Sequence, residues 1–482
     1  MRRRLLLYSL NFAPEEIGIG KYTGEMVSQW LESGYDVVVV TAPPYYPEWE
    51  VKAAYRSWWY ETDSATSLPS NSTKHVPEAG NLRVVRCPLW VPKRVNGFRR
   101  IVHLSSFALS SLPVVLWQAF RFRPQLIMTV EPAAFCMPAT WVASKLVRAK
   151  SWLHVQDFEV DAAYELGILR QPLLRRIVSS LERFWMRRFD RVSSISGRMV
   201  AKLRNKGVAA SKTRLVPNWV DCDKIFPIEH EDSIETASRR AELRRGFGIP
   251  EKGCVLMYSG NLGAKQGIEV IIEAARRAAE RDREDDPVEQ EALHFVICGQ
   301  GAAHDYLRGL AKGLENIHWL PLQPLERFND LLNAADIHLL PQKARAADLV
   351  MPSKLTGMLA VGRPIVACAE HGTELADVVE HVGYVAKPGD ADSFCRGIEL
   401  LANDRGLREK LGREARSVAL GTLSRTKLLN DLAFEIEALI PVPNARPDAE
   451  ASLSDQEELD AAVETSDANA NADTPMESLV RT

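Results

Sequence analysis

The stretch Val255–Ala275, VLMYSGNLGAKQGIEVIIEAA, restricts the possible folds of this chain more than any other. Val255 to Tyr258 is an apolar run suited to a buried strand. Gly260, Gly263 and Gly267 punctuate the loop that follows, and from Ile268 apolar residues recur at helical spacing, as Ile268, Ile271, Ile272 and Ala275. A strand, a glycine-rich loop and a helix start in succession predict a parallel α/β layer with an anion site at the loop. Glycines let the backbone approach a phosphate, and first-turn N–H groups with the helix dipole favour negative charge there. Lys265 adds a point charge to the same loop. The spacing is neither GxxxxGK[ST] nor the full GxGxxG, so the loop alone reads equally well as a plain strand-to-helix turn.

The unit recurs. Leu5–Ser9 reads as a first parallel strand, followed by NFAPEEIGIGKYTGEM and a helix through Leu31, with Gly18 and Gly20 just ahead of that helix. Val37–Thr41, Gln125–Thr129, Ser151–Gln156 and Arg191–Ser196 continue the strands. Beyond Pro217-Asn218-Trp219 the alternation starts again, with strands at Val255–Tyr258, Phe295–Cys298, Ile317–Leu320, Ile337–Pro341 and Pro364–Cys368. Gly299 and Gly301 follow one of these strands in a second ligand-facing turn. A chain of 482 residues holds two such domains of roughly 200 residues each. The expected boundaries are 1–220, 221–422, a last amphipathic helix over 423–440 and an acidic tail over 441–482. The tail is rich in Ala, Asp and Glu with almost no aromatic residue, and is expected to be disordered.

The formal charge of −3 hides this asymmetry, because the remainder of the chain is mildly basic. That balance suits anionic ligands or membrane surfaces and falls far short of a nucleic-acid footprint. The seven cysteines are scattered without a CxxC, which predicts core thiols in a reducing compartment and no zinc site. His154, Asp157 and Asp161 in HVQDFEVDAA fall near the carboxyl end of a strand, the edge at which open α/β sheets bind ligands. A solvated carboxylate is the alternative reading of Asp157. In APPYYPEWEV, Tyr45, Tyr46 and Trp49 could stack on a sugar or simply pack locally. The polar segment 62–81 reads as a surface loop. Ile101–Phe120 has no charged residue, with Arg99, Arg100 and Arg121 flanking it. Four serines, His103, Gln118 and Pro113 make it a poor membrane span, so a buried or interfacial helix is expected.

Taken together, SLNFAPEEIGIGKYTGEM, VVTAPPYYPEW, CPLWVPK, HLSSFALSS, HVQDFEVDAA, VPNW, YSGNLGAKQG, CGQG and ADLVMPSKLTGMLAVGRP resemble the family-four retaining glycosyltransferases of GT-B fold that assemble polysaccharides. The likeness is strongest to the colanic-acid branch and covers most of Arg4–Leu439. It implies two Rossmann-like parallel-sheet domains facing a cleft, with the nucleotide sugar on the second domain, the acceptor on the first and a final helix crossing back. Carried over by position, Gly260, Asn261, Gly263 and Gly267 cradle the diphosphate together with Ser353, Lys354 and Leu355. Gly299 and Gly301 approach the nucleotide, and Gly18 and Gly20 close from the opposite domain. The chain departs from the family at several points. Gly357 stands where relatives carry a ribose-binding glutamate, and Leu349 where they carry another, leaving Asp348 as the neighbouring carboxylate. Asn261 and Gln266 replace the usual Arg and Lys, with Lys265 one position away.

The activity implied is transfer of a hexose, fucose being a favoured guess, from a GDP- or UDP-sugar to a lipid-linked glycan with retention at the anomeric carbon. His154, Asp157, Lys265 and Asp348 are the candidate catalytic residues. No metal, no cofactor beyond the donor and no nucleic acid is expected; the enzyme would be cytoplasmic and peripheral on the inner face of the membrane. A sugar-nucleotide epimerase and an inactive nucleotide-sugar-binding scaffold are the rival classes for the same architecture.

Overall fold

The computed structural model describes residues 2–64, 80–93, 97–131, 134–161, 171–228, 234–263, 266–284, 291–343 and 352–440. Lys265, Asp348 and the acidic tail lie outside these described residues. The first sheet contains β1 (Arg4–Ser9), β2 (Asp36–Thr41), β3 (Glu61–Ser64), β4 (Leu82–Arg86), β5 (Leu126–Glu131), β6 (Lys150–Val155), β7 (Arg191–Ser194) and β8 (Thr213–Leu215). Its spatial order is β3-β4-β2-β1-β5-β6-β7-β8, parallel throughout except for the β3–β4 pair at the edge. The second sheet contains β9 (Cys254–Ser259), β10 (Leu293–Cys298), β11 (Ile317–Leu320), β12 (Ile337–Leu340), β13 (Ile365–Cys368) and β14 (Gly383–Ala386). They run in the order β11-β10-β9-β12-β13-β14, all parallel.

The central strands are continuous apolar runs because helices cover both faces of a parallel sheet. Leu5, Leu6 and Leu7 are all buried, as are Val255, Leu256 and Met257. Among the parallel strands of each sheet the order reverses once, between β1 and β5 and between β9 and β12. Connections leave such neighbours toward opposite faces, so a crevice opens beyond their carboxyl ends. The loops containing Gly18–Gly20 and Gly260–Gly267 both emerge at these points.

Sequence and structure differ at one edge strand and in the extent of one helix. The polar segment expected to be loop throughout contributes β3, an edge strand of sequence ETDS. It pairs because Arg86 of β4, nearly fully buried, needs the Asp63 carboxylate 2.9 Å away, and apolar alternation cannot reveal that. The helix expected over Ile101–Phe120 spans Gly97–Phe122. It is long and apolar enough to cross a membrane, yet Leu104, Phe107, Val115 and Ala119 pack on Leu6, Tyr8, Val38 and Val40 of the sheet. Its polar groups are used inward. His103 bonds the Trp90 carbonyl at 2.7 Å, Ser110 donates to the Pro88 carbonyl, and Ser111 pairs with the Tyr8 hydroxyl at 2.5 Å.

The carboxyl edges of the two sheets meet. Glu374, just beyond β13, accepts the backbone N–H groups of Gly197 and Arg198, just beyond β7, at 3.1 and 3.2 Å. Tyr22 bonds Thr356 and stacks edge-on against Trp219 at 5.2 Å. At the linker, Arg425 pairs with Asp221 at 2.8 Å, and Val220 bridges Ser424. The chain forms one compact unit over Met1–Phe434, and the last described residues of the second unit, from Glu435, complete the helix Arg425–Leu439.

Asp336, at the start of β12, ties the second domain together. It accepts Val255 N–H at 2.7 Å and meets Arg244 at 2.6 Å and Arg240 at 2.9 Å. Asp336→Ala leaves the buried Arg244 guanidinium without its counter-charge, at a cost of ~3–5 kcal/mol. The expected result is a lowered calorimetric transition with unchanged far-UV circular dichroism at 25 °C.

Candidate active site

The loop after β9 is held in a shape that only glycine can take at its start. Gly260 has φ 143°, and a Cβ there would lie 2.8 Å from Lys354 Cε. The turn after β10 packs directly on it. Leu262 N–H donates to the Gln300 carbonyl at 2.8 Å, and Ala303 N–H to the Leu262 carbonyl at 2.9 Å. A Cβ on Gly299 would lie 1.9 Å from the Gly260 carbonyl oxygen, and one on Gly301 2.5 Å from Asn261 Oδ1. Loop-on-loop packing therefore already requires both of these glycines. Gly267, φ 70°, rests against Gln342 and Lys343, the residues that leave β12 on the other side of the crevice. Gly263 is different. Among the described residues a Cβ there meets nothing closer than 3.6 Å, an ordinary contact, so none of their packing demands glycine at this position.

Lys354 is the cation of the site. Its ammonium donates to the Tyr258 hydroxyl at 2.5 Å and to Gln266 Oε1 at 3.2 Å, and lies 4.0 Å from the Tyr258 ring centroid. The Tyr258 hydroxyl in turn donates to the Asn261 carbonyl at 2.7 Å. Lys354 thus joins the strand end to both sides of the glycine loop. Both of its hydrogen-bond partners among the described residues are neutral, and burial pulls its pKa down to about 7. A cation so placed gains most from an arriving anion. Lys354 begins the helix Lys354–Ala360, beside an exposed Ser353 that makes no side-chain cap. Leu355 departs from the expected role: its N–H donates to the Pro352 carbonyl and its side chain lies in the core, so it offers a ligand neither.

Gly357 is inward-facing. A Cβ there would lie 3.3 Å from Leu332 and 3.5 Å from Phe328, so a carboxylate grafted at this position would meet a neighbouring helix.

In the first domain, Gly18 (φ 62°) faces Tyr46, and Gly20 presses on Glu15, where a Cβ would come within 2.5 Å. Glu15 was not singled out by sequence pattern, yet it organises this crevice. Its buried carboxylate accepts Tyr45 and Tyr46 N–H at 3.0 Å each and Asn11 Nδ2 at 2.9 Å, joining the loops after β1 and β2. Tyr45, Trp49 and His103 form one ring cluster, with centroids 4.9 to 5.5 Å apart, which is the local-packing alternative for these aromatics.

His154 takes a place other than the catalytic one expected. It is 2% exposed, with Nδ1 2.9 Å from Ser193 Oγ and Nε2 3.0 Å from Gln156 Nε2. Burial holds its pKa down at about 4, so it is neutral. Through Gln156, which donates to Asn218 at 3.1 Å, it supports the interdomain linker. Asp161 is paired with Lys202 and Lys206 at 2.9 and 3.1 Å and is likewise structural. Asp157 remains at the carboxyl edge of β6, half-buried and within electrostatic reach of Glu131 and Glu159. Glu131 ends β5 at the crevice and is fully buried. Burial first, and then the nearby Glu182 and Glu159, raise its pKa well above the ordinary range.

These features define the class: the chain belongs to the glycosyltransferases of GT-B fold. Residues 18–219 match the family model described as glycosyl transferase 4-like domain, and residues 239–418 that of glycosyl transferases group 1. The chain is 36% identical over 441 residues, 90% of its length, to WcaI of Escherichia coli (strain K12), a protein named as a colanic acid biosynthesis glycosyl transferase, and covers 99% of it. Among solved structures it matches sucrose-phosphate synthase of Thermosynechococcus elongatus with TM-score 0.65 at 16% identity, covering 91% of this chain and 99% of that one. It matches Anabaena HepE, solved with UDP and glucose, with TM-score 0.58 at 13% identity over 91% and 100% of the two chains.

Two measurements follow from this geometry. Gly263→Val fits the protein but fills the space before the loop. It should melt as the wild type does while losing affinity for GDP and UDP by calorimetry; unchanged affinity would place the anion elsewhere. Glu131, with its pKa raised in the folded state, binds its proton more tightly there than in the unfolded chain. Its contribution to stability therefore falls as pH rises above 4.5, the ordinary value for a glutamate. The Tm of Glu131→Gln relative to wild type should climb from pH 5 to 8, and a constant difference would refute the assignment.

Proposed function

We propose that this protein is a retaining hexosyltransferase that moves one hexose from a GDP- or UDP-sugar to a lipid-linked glycan during exopolysaccharide assembly, working at the cytoplasmic face of a membrane. The single observation that carries the reading is Lys354, a half-buried cation whose hydrogen-bond partners among the described residues are neutral, set against a glycine loop at the crevice of the second sheet. Likeness to WcaI supports the exopolysaccharide setting and makes GDP-fucose the first donor to try. HepE, solved with UDP and glucose, supports a nucleotide-sugar donor.

The hard step is departure of the nucleoside diphosphate. Negative charge grows on the leaving oxygen, and backbone N–H groups of the glycine loop together with Lys354 stabilise it, at ~3 kcal/mol per well-placed donor. Lys265 and Asp348 retain the roles the resemblance gives them, the first as added charge on the loop and the second as the carboxylate next to Leu349, where relatives carry the first of their two glutamates. Asp157 faces the acceptor side. The leaving oxygen takes the acceptor proton on the same face of the sugar, so retention needs no enzyme nucleophile. Neutralisation by the protein makes a metal unnecessary in this reading.

Purified protein incubated with a panel of labelled nucleotide sugars and membrane lipid extract decides among the classes. Labelled lipid whose new linkage has the donor's anomeric configuration by NMR supports the proposal. A changed soluble sugar would indicate an epimerase, and binding without turnover a scaffold. Turnover should survive EDTA.

Lys354 makes a further prediction about pH. Its pKa is about 7 in the free protein and rises beside a diphosphate, so the donor binds with uptake of a proton above that pH. The Kd for nucleoside diphosphate should be flat below pH 7 and then weaken by up to about tenfold per pH unit. Lys354→Met should abolish that slope and lower kcat about 10²-fold.

A further inference from the structure

The first domain exposes an apolar surface that none of its described residues covers. The helix Pro172–Met186 turns Leu173, Leu174, Ile177, Leu181 and Phe184 to solvent within one face, Leu173 being 70% exposed. The helix Gly97–Phe122 is buried on its sheet side, yet on the opposite side Val102, Leu109, Leu112, Trp117 and Phe120 are exposed, Leu109 by 73%. The helix Met137–Val147 lies between them and packs on both, and its Trp141 meets Trp185 at 5.8 Å. Trp58 and Trp59, 72% and 67% exposed, neighbour Tyr60, whose hydroxyl donates to the Ser110 carbonyl of the first helix at 2.9 Å. Soluble monomers rarely leave contiguous apolar surface of this extent open.

Charge identifies the occupant. Helices Gly97–Phe122 and Met137–Val147 contain no acidic residue. The one in Pro172–Met186, Glu182, is buried against Lys206 at 2.5 Å. Arg121, Lys145, Arg176 and Arg183 are exposed on the same helices. Arg100 is not part of this set, since Glu159 holds it at 3.2 Å. A protein interface mixes both signs and polar partners, whereas apolar stripes rimmed by cations, with tryptophans at the margin, suit the headgroup boundary of an anionic bilayer. We infer that the three-helix face formed by Gly97–Phe122, Met137–Val147 and Pro172–Met186, with the Trp58-Trp59 loop beside it, docks the protein on an anionic lipid bilayer. The inference rests on the membrane-side setting proposed above and locates the contact on the first domain, with Pro172–Met186 lying in the interface plane.

Flotation of the full chain with phosphatidylcholine vesicles, with and without phosphatidylglycerol, tests this without donor or acceptor, so its result is independent of the reaction. Wild type should float with the anionic vesicles, less so with the neutral ones or in high salt. The Ile177→Glu, Leu181→Glu pair should reduce partition about tenfold or more while melting normally. A second pair on another helix, Trp117→Ser with Phe120→Ser, should do the same should the first fail to fold. Leu400→Glu with Leu420→Glu, exposed in the second domain, should float as wild type. Absence of flotation, equal flotation of the helix variants, or a dimer that those variants convert to monomer in light scattering would overturn the inference.

Discussion

Where a parallel sheet reverses its strand order, neighbouring strands send their connections to opposite faces, and the gap beyond their ends has to be closed by loops. The rest of this structure depends on that constraint, met twice. In the second sheet the gap lies between β9 and β12, and the glycine loop crosses it from Gly260 to Gly267. In the first it lies between β1 and β5, and the loop ahead of Gly18 leaves β1 at its edge and packs on the loop after β2. Both loops must be tight because each is packed from outside, one by the turn after β10 and the other by Tyr45 and Tyr46.

The two loops are held by different physics. Around Gly260 the fit is steric: carbonyls approach where Cβ atoms would be, and one lysine reaches across to link the pieces. Around Gly20 it is electrostatic, with the buried Glu15 carboxylate drawing together two backbone N–H groups and the Asn11 amide. A loop organised by an internal anion leaves little room for a second one. A loop organised by a cation with neutral partners among the described residues favours an anion, and this asymmetry supports the proposal that the nucleotide sits on the second domain.

The first domain also separates its two surfaces. Its carboxyl edge carries a cluster of carboxylates, the buried Glu131 with Glu159 and the half-buried Asp157 near it, while the outer helices combine apolar and basic residues. The helix Gly97–Phe122 serves both the core and the outside. Its inward serines and His103 find carbonyl or hydroxyl partners, so an outwardly apolar helix can rest on the sheet without unpaired polar groups among these serines.

The central parallel strands, though not β4, β8 or β14 nearer the edges, the glycine turns and the family were legible in the sequence because they are local: apolar runs, turn residues and their order along the chain. Lys354 was legible as a charge near the loop, but not as the residue that spans it. What only the tertiary structure decided depends on partners distant in sequence. Arg86 and Asp63 create an edge strand out of polar residues, and Asp336 locks Arg244 to the start of β9. His154 shares a strand end with Asp157 yet faces the core, because Ser193 of the adjacent strand supplies its hydrogen bond. Gly357, a departure from the family pattern on the page of letters, turns toward Leu332 and Phe328 rather than a ligand. Sequence sets which residues are near one another along a strand or helix. Which side of an element faces solvent, and whether a buried charge finds its opposite, is settled only when distant segments pack, because burial and pairing are properties of the assembled neighbourhood.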